Sequence, residues 1–267
     1  MDVSLGDQAH LEMSIMFSDI RSFTSMSEKM SPEENFRFVN SYLNEMGPIV
    51  RLHNGYIDKF IGDGIMALFP NSAVDAVNSA VKMQHRVMEF NKKNMFHPEH
   101  DIRIGVGINT GLMMLGTIGE ADRMEGSVIS DAVNLASRLE ELTKLYQARV
   151  LISEETLAHL RDTSYVTRLV DRVAVKGKSA AVDVYEVLDA EMPTTFAQKQ
   201  KTLQAFDEGV QLYRQKKMRD ALRMFEACLN PKVIDGAVDC YINRCKVWLR
   251  EGPPESGWDG IHRMDTK

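Results

Sequence analysis

Between residues 11 and 189, short apolar runs alternate with longer stretches in which apolar residues recur every three or four positions. This pattern predicts strands near 12–18, 56–61, 64–69, 102–110, 112–118, 149–152, 166–175 and 181–188. Helices are expected near 32–53, 72–94, 130–146 and 153–161. The segment 72–94 spaces Val74, Val77, Val81 and Met88 at helical intervals, so they share one face. The segment 32–53 opens with Ser31-Pro32-Glu33-Glu34, a capping residue followed by a proline at the first helical position. Strands and helices mixed in this way imply an α/β or α+β sandwich.

The periodicity breaks at Ala190-Glu191-Met192-Pro193-Thr194-Thr195, which reads as a linker. Beyond it the chain is expected to be largely helical. Gly209, Tyr213, Ala221, Phe225 and Leu229 occupy the small and aromatic positions of a helix-turn-helix, and the stretch resembles one tetratricopeptide unit. About three such units are needed for independent stability, so this one should pack on the preceding domain or on a partner chain. The expected organisation is a lead-in at 1–10, a catalytic domain at 11–189, a linker at 190–196, a tetratricopeptide-like extension at 197–250 and a tail at 251–267. Trp258 is the expected anchor of that tail.

Composition narrows the class. With 267 residues, 44% apolar and 26% charged, the chain can build a sizeable core, and disorder or a disulfide scaffold is disfavoured. A net charge of −6 opposes a broad nucleic-acid face, so any phosphate contact should be local. No stretch is long and apolar enough to span a membrane, and the first 15 residues lack a signal-peptide pattern. Cys228, Cys240 and Cys245, an odd set in the last fifth of the chain, fit a reducing cytosol with buried thiols. The 17 methionines read as core filler.

Chemistry concentrates elsewhere. Asp19 ends the apolar strand that begins at Met13, and Ile-Arg-Ser-Phe-Thr follows it, a polar loop of the kind that can cradle phosphate. Asp63 lies in Phe60-Ile61-Gly62-Asp63-Gly64-Ile65, where Asp-Gly alone signals only a hairpin turn. On neighbouring strands, the two carboxylates together could hold hard divalent cations. Gly105, Gly107 and Gly111 give GxGxxxG, one residue longer than the dinucleotide fingerprint.

Five segments then occur in a telling order. They are Phe17-Ser18-Asp19-Ile20-Arg21-Ser22-Phe23-Thr24, Asp58-Lys59-Phe60-Ile61-Gly62-Asp63, Arg103-Ile104-Gly105-Val106-Gly107-Ile108-Asn109-Thr110-Gly111, Ser130-Asp131-Ala132-Val133-Asn134-Leu135-Ala136-Ser137-Arg138 and Val175-Lys176-Gly177-Lys178. The series resembles the catalytic domain of class III adenylyl cyclases, and most closely their cyanobacterial-type bacterial branch, over residues 11–189. The resemblance implies an α+β fold with a ferredoxin-like core, extended here by a small helical region. It also implies a head-to-tail homodimer with sites shared between chains, and ATP as substrate.

Carried over residue by residue, the resemblance makes Asp19 and Asp63, with the Ile20 carbonyl, ligands of two Mg²⁺ or Mn²⁺ ions per site. Backbone N–H groups at Phe23 and Thr24, with Arg103 and Lys176, would hold the triphosphate. Asn134 and Arg138, four apart on one helix face, would orient the ribose and stabilise the transition-state phosphate. Lys59 would donate to adenine N1 and Ser127 would face the 6-amino group. Ser127 departs from the usual Asp or Thr and, as a hydroxyl, serves guanine as well. A guanylyl or dual-specificity cyclase is therefore the alternative enzyme, and a non-catalytic nucleotide-sensing scaffold the alternative of another class. Family members usually carry a sensor or regulatory domain upstream, which this chain would lack.

Overall fold

The computed structural model describes residues 8–93, 101–120, 123–174, 181–252, 258 and 261–263. In chain order the elements are β1 (Gln8–Ile20), α1 (Phe23–Ser27), α2 (Pro32–Leu52), β2 (Tyr56–Ile61), β3 (Gly64–Phe69), α3 (Ala73–Lys93), β4 (Ile104–Glu120), β5 (Arg123–Ile129) and α4 (Asp131–Tyr146). They continue with β6 (Val150–Ser153), α5 (Glu154–Ala158), β7 (Thr167–Ala174), β8 (Ala181–Val187), α6 (Pro193–Lys201), α7 (Leu203–Arg214), α8 (Met218–Ala227), α9 (Gly236–Glu251) and β9 (His262–Arg263). Among the described residues nine strands form one sheet in the order β2-β3-β1-β4-β6-β8-β7-β9, with β5 paired to β4.

The alternation along β1 assigns the two faces of the sheet. Met16 and Ile20 enter a core with Phe38, Tyr42 and Met46 of α2 and Val77, Ala80 and Met83 of α3. Met13 and Ile15 enter a second core with Met66, Leu68, Met113 and Ala132 and Ala136 of α4. Because side chains alternate along a strand, Asp19 belongs to the α4 face. β4 carries Gly105, Gly107 and Gly111 on that same face. A Cβ on Gly107 would run into the backbone of α4 at Glu140 and Ala136, and one on Gly105 into Arg21 and Thr143. The GxGxxxG run therefore serves close helix–strand packing.

α2 starts as expected: Ser31 Oγ accepts the Glu34 N–H at 3.2 Å and Glu34 Oε2 accepts the Ser31 N–H at 2.8 Å, a reciprocal cap. Other elements differ from expectation. The strands expected at 102–110 and 112–118 are one strand, β4, paired to β1 without a register shift from Gln8↔Gly116 to Ile20↔Ile104. That pairing carries the ladder through Gly111, where local propensity signals a break, and it also draws residues 8–10 into β1. β5 and α1 are additions, and α5 is shorter than the helix expected at 153–161.

The segment 190–196 is not an open linker. A 3₁₀ turn at Leu188–Ala190 leads into α6, which has Pro193 at its start. Lys199 of α6 is buried and bonded to Glu186 at 2.6 Å and Glu191 at 2.8 Å. The following helices pack against α4 and the outer strands: Phe206, Tyr213, Phe225 and Tyr241 share a core with Leu139, Tyr146, Val170 and Val184. Trp258 sits edge-on to Tyr213 and Trp248, with ring centroids 5.1 and 4.8 Å away. Leu229, expected at an interior position, is 53% exposed. Among the described residues no helix is long and apolar enough to cross a membrane.

Candidate active site

The end of β1 and the β2–β3 hairpin bring Asp19 and Asp63 together. Gly62 supplies the left-handed turn, with φ +63°, a conformation that only glycine adopts without strain. The turn delivers the Asp63 carboxylate to β1, where its Oδ2 accepts the Ile20 N–H at 3.0 Å. Burial, then hydrogen bonding to Asp19 and its charge, push the Asp63 carboxyl up to about 7. Two like charges in one partly dry place hold a proton until a cation replaces it. Tyr42, fully buried in the core on the α2 side of the sheet, has its hydroxyl pKa raised by burial, and the charges of Asp63 and Asp19 add to that direction.

This donor set, two carboxylates beside a strand-end carbonyl, suits a hard divalent cation that takes oxygen ligands. Among the described residues no group of three or more His, Cys, Asp or Glu side chains forms a metal cage.

Sequence reasoning misses the cations around the pair. Lys144 Nζ lies 3.6 Å from Asp19 Oδ2. A lysine in the last turn of a helix ordinarily reads as a complement to the helix dipole, so only the fold reveals its partner. Arg21 turns inward to Glu140 at 3.4 Å and donates to Thr143 Oγ1, while its N–H is bonded to the Arg103 carbonyl at 2.7 Å. Burial lowers the Arg21 pKa, and the charge of Arg103 adds to that direction.

The remaining expected residues are spread out. Phe23 and Thr24 begin α1, after Ser22 at φ +56° and with no side-chain cap. The first N–H groups of a helix lack intrahelical acceptors. The Phe23 ring stacks on Phe38, with centroids 6.3 Å apart, and anchors the loop, while Thr24 is exposed. Arg103 is exposed just before β4. Lys59 is on edge strand β2, exposed and 3.2 Å from Asp58. Ser127 lies in β5 opposite Gly116. Lys176 lies outside the described residues.

Asn134 and Arg138 are on the outer side of α4. Asn134 is exposed and Arg138 pairs with Glu141 at 2.5 Å. Asn134 precedes Lys144 by ten residues, about 15 Å along the helix at 1.5 Å per residue. Within one chain, then, Asn134 stands well along α4 from the lysine that meets Asp19.

The sequence matches the family described as Adenylate and Guanylate cyclase catalytic domain over residues 5–190. The chain belongs to this family. The chain is 42% identical over 251 residues to the terminal-differentiation-specific adenylate cyclase of Dictyostelium discoideum, covering 91% of this chain and 12% of that protein. It is 42% identical over 193 residues to an adenylate cyclase of Anabaena cylindrica, covering 70% of this chain and 38% of that one. The crystal structure of the adenylyl cyclase CyaB from P. aeruginosa superposes with a TM-score of 0.63 at 34% identity, over 68% of this chain and 95% of that chain. The chain thus spans well under half the length of these two curated relatives. The mixed α+β fold is that of the class III cyclases, a family that uses divalent metal ions and dimerises.

Proposed function

We propose that this chain is an adenylyl cyclase that converts ATP to 3′,5′-cyclic AMP and pyrophosphate at composite sites in a head-to-tail homodimer. The Asp19–Asp63 pair carries this reading, because two carboxylates crowded together with one raised to about 7 form a cation site rather than a structural contact. The separation of Asn134 along α4 from the lysine that meets Asp19 supports completion of each site by a second chain. A symmetric dimer would repeat the arrangement twice.

Asp19, Asp63 and the Ile20 carbonyl would hold two Mg²⁺ or Mn²⁺ ions. When bound, such ions lower the pKa of the 3′-hydroxyl and neutralise the leaving pyrophosphate. The chain's own residues do the rest. The 3′-oxygen forms a bond to the α-phosphorus as the bond to the β-phosphate bridging oxygen breaks. Backbone N–H groups at Phe23 and Thr24, with Arg103 and Lys176, hold the triphosphate in line. From the partner, Asn134 orients the ribose, and Arg138 donates to the charge that grows on the transferring phosphoryl group. Lys59 donates to adenine N1 and Ser127 accepts from the 6-amino group.

Ser127 also favours a second reading, because a hydroxyl both donates and accepts and so serves guanine. A product assay on the purified chain with Mn²⁺ and ATP or GTP in parallel tests both. Cyclic AMP as the main product supports the first reading, cyclic GMP as the main product the second, and no turnover with either nucleotide supports a scaffold.

We further infer that α7 and α8 form a single tetratricopeptide-like hairpin. A Cβ on Gly209 would stand 2.8 Å from the Phe225 ring, the close helix approach that such a small residue serves. An upstream sensor domain and a cytosolic location complete the proposal.

A further inference from the structure

Next to Asp19 a cleft of about 730 Å³ opens between α4 and the C-terminal helices. Its wall carries Arg21, Arg103, Lys144, Arg149 and Lys232 against one carboxylate, Glu191. In a chain of net charge −6 this is a local reversal of sign. Arg21 and Arg149 are committed, the first to Glu140 and the second to Glu191 at 3.2 Å and Gln84 at 3.1 Å. Arg103 and Lys232 have no acid within ion-pairing distance among the described residues. Lys144 is half-exposed, and its 3.6 Å approach to Asp19 is longer than a direct charge-assisted bond, which leaves it free to turn.

Lys232 comes from outside the family-matched region, on a turn that is held in place. Asn230 Oδ1 accepts the Lys232 N–H at 2.8 Å, and Asn230 Nδ2 donates to Gln198 Oε1 of α6 at 3.0 Å. The turn is thereby fixed to a helix that is itself tied to the sheet through Lys199, and it presents a cation to the cleft.

We infer that this cleft binds a diphosphate group, with Arg103, Lys144 and the C-terminal Lys232 as its donors. Compact cations at the rim of a concave site suit a small polyanion better than a nucleobase. The ligand is inorganic pyrophosphate or the β- and γ-phosphates from which it forms. Its source rests on the cyclase reading, because that reaction releases pyrophosphate beside Asp19; the cleft's charge does not. The C-terminal helices would then take part in the enzyme's own cleft, and Lys144 would turn from Asp19 to phosphate.

The test is calorimetric titration of the full chain, in EDTA, with inorganic pyrophosphate. Lys144→Ala and Lys232→Ala should each weaken binding about five- to tenfold, less at high salt. Lys246→Ala, which removes the same charge from another surface, should leave it within about twofold. A parallel titration with a non-hydrolysable ATP analogue separates the two sources. Weakening of both ligands means that the lysines hold the phosphates before cleavage, and weakening of pyrophosphate alone means that they hold the released product; either supports the site. Unchanged pyrophosphate binding in both cleft variants, or an equal loss in Lys246→Ala, overturns it. Lysine-dependent binding in a wild type that makes no cyclic nucleotide would remove the cyclase reading and keep the cleft. An active cyclase with indifferent lysines would do the reverse.

Discussion

The acids of the sheet's outer half and the Asp19–Asp63 pair of its inner half are treated in opposite ways. In the outer half, each buried acid meets a base. Arg168 binds Asp235 through two bonds of 2.7 and 2.8 Å and Glu186 at 2.7 Å, and Lys199 joins Glu186 to Glu191. Asp171 meets Arg244 at 2.7 Å and accepts from the hydroxyls of Tyr146 and Tyr241. In the inner half, Asp19 and Asp63 are set side by side, with Lys144 3.6 Å from Asp19. Burial alone would raise the Glu186 carboxyl, but Arg168 and Lys199 hold it well below the usual carboxylate range. Burial and Asp19 together push Asp63 the other way. Balanced charge in the outer half joins the helices to the sheet. Unbalanced charge in the inner half is the feature on which the proposed cation site rests.

The strongest way to break this contrast is to remove the inner carboxylates. Asp19→Ala or Asp63→Ala should lower cyclase turnover by more than about a hundredfold at saturating Mn²⁺ and leave the melting curve cooperative. Activity within about tenfold of wild type would sink the two-metal assignment.

The outer half should respond in stability instead. Arg168→Met removes the base from Asp235 and leaves Glu186 with Lys199 alone, and breaking a buried pair costs about 3–5 kcal/mol, to be read from urea unfolding. A loss below about 1 kcal/mol, typical of surface pairs, would show that the network does not join the helices to the sheet.

Sharing of the site between chains has its own test. Mixing Asp19→Ala chains with Arg138→Ala chains should restore about a quarter of wild-type activity, since half the dimers are mixed and each carries one intact site. No recovery, with subunit exchange shown independently, would place the whole site in one chain.

The smallest effect concerns pH. Asp63 has a folded value near 7 against an ordinary 3.8, so between those values the native state binds more protons than the unfolded chain. Stability of the metal-free protein therefore falls as pH rises through that window. The Glu186 network works in the opposite sense, losing stability as pH falls below the ordinary 4.5. Asp63→Asn in EDTA should melt a few degrees higher than wild type above pH 7 and alike below pH 4. Parallel curves across the whole range would mean that the carboxylates do not repel.

Much of the candidate site was legible because its residues stand in local patterns. Asp19 follows a strand, Asp63 sits in an Asp-Gly turn, and Asn134 and Arg138 share a helix spacing. Ser31 and Glu34 announced the start of α2 by a cap that needs only four consecutive residues. These features depend on backbone preferences and side-chain period over one or two turns, and a linear reading recovers them.

What the tertiary structure alone decided are contacts between residues far apart in the chain. The ladder with β1 overrides the break that Gly111 signals and makes β4 one strand. Burial of Lys199 between Glu186 and Glu191 turns the expected linker into α6. Lys144 meets Asp19 because Gly105 and Gly107 let α4 lie close on β4, and Lys232 reaches the same cleft from more than 80 residues further on. No local propensity encodes such meetings. They follow from strand register and helix packing, whose energies exist only once the chain has folded.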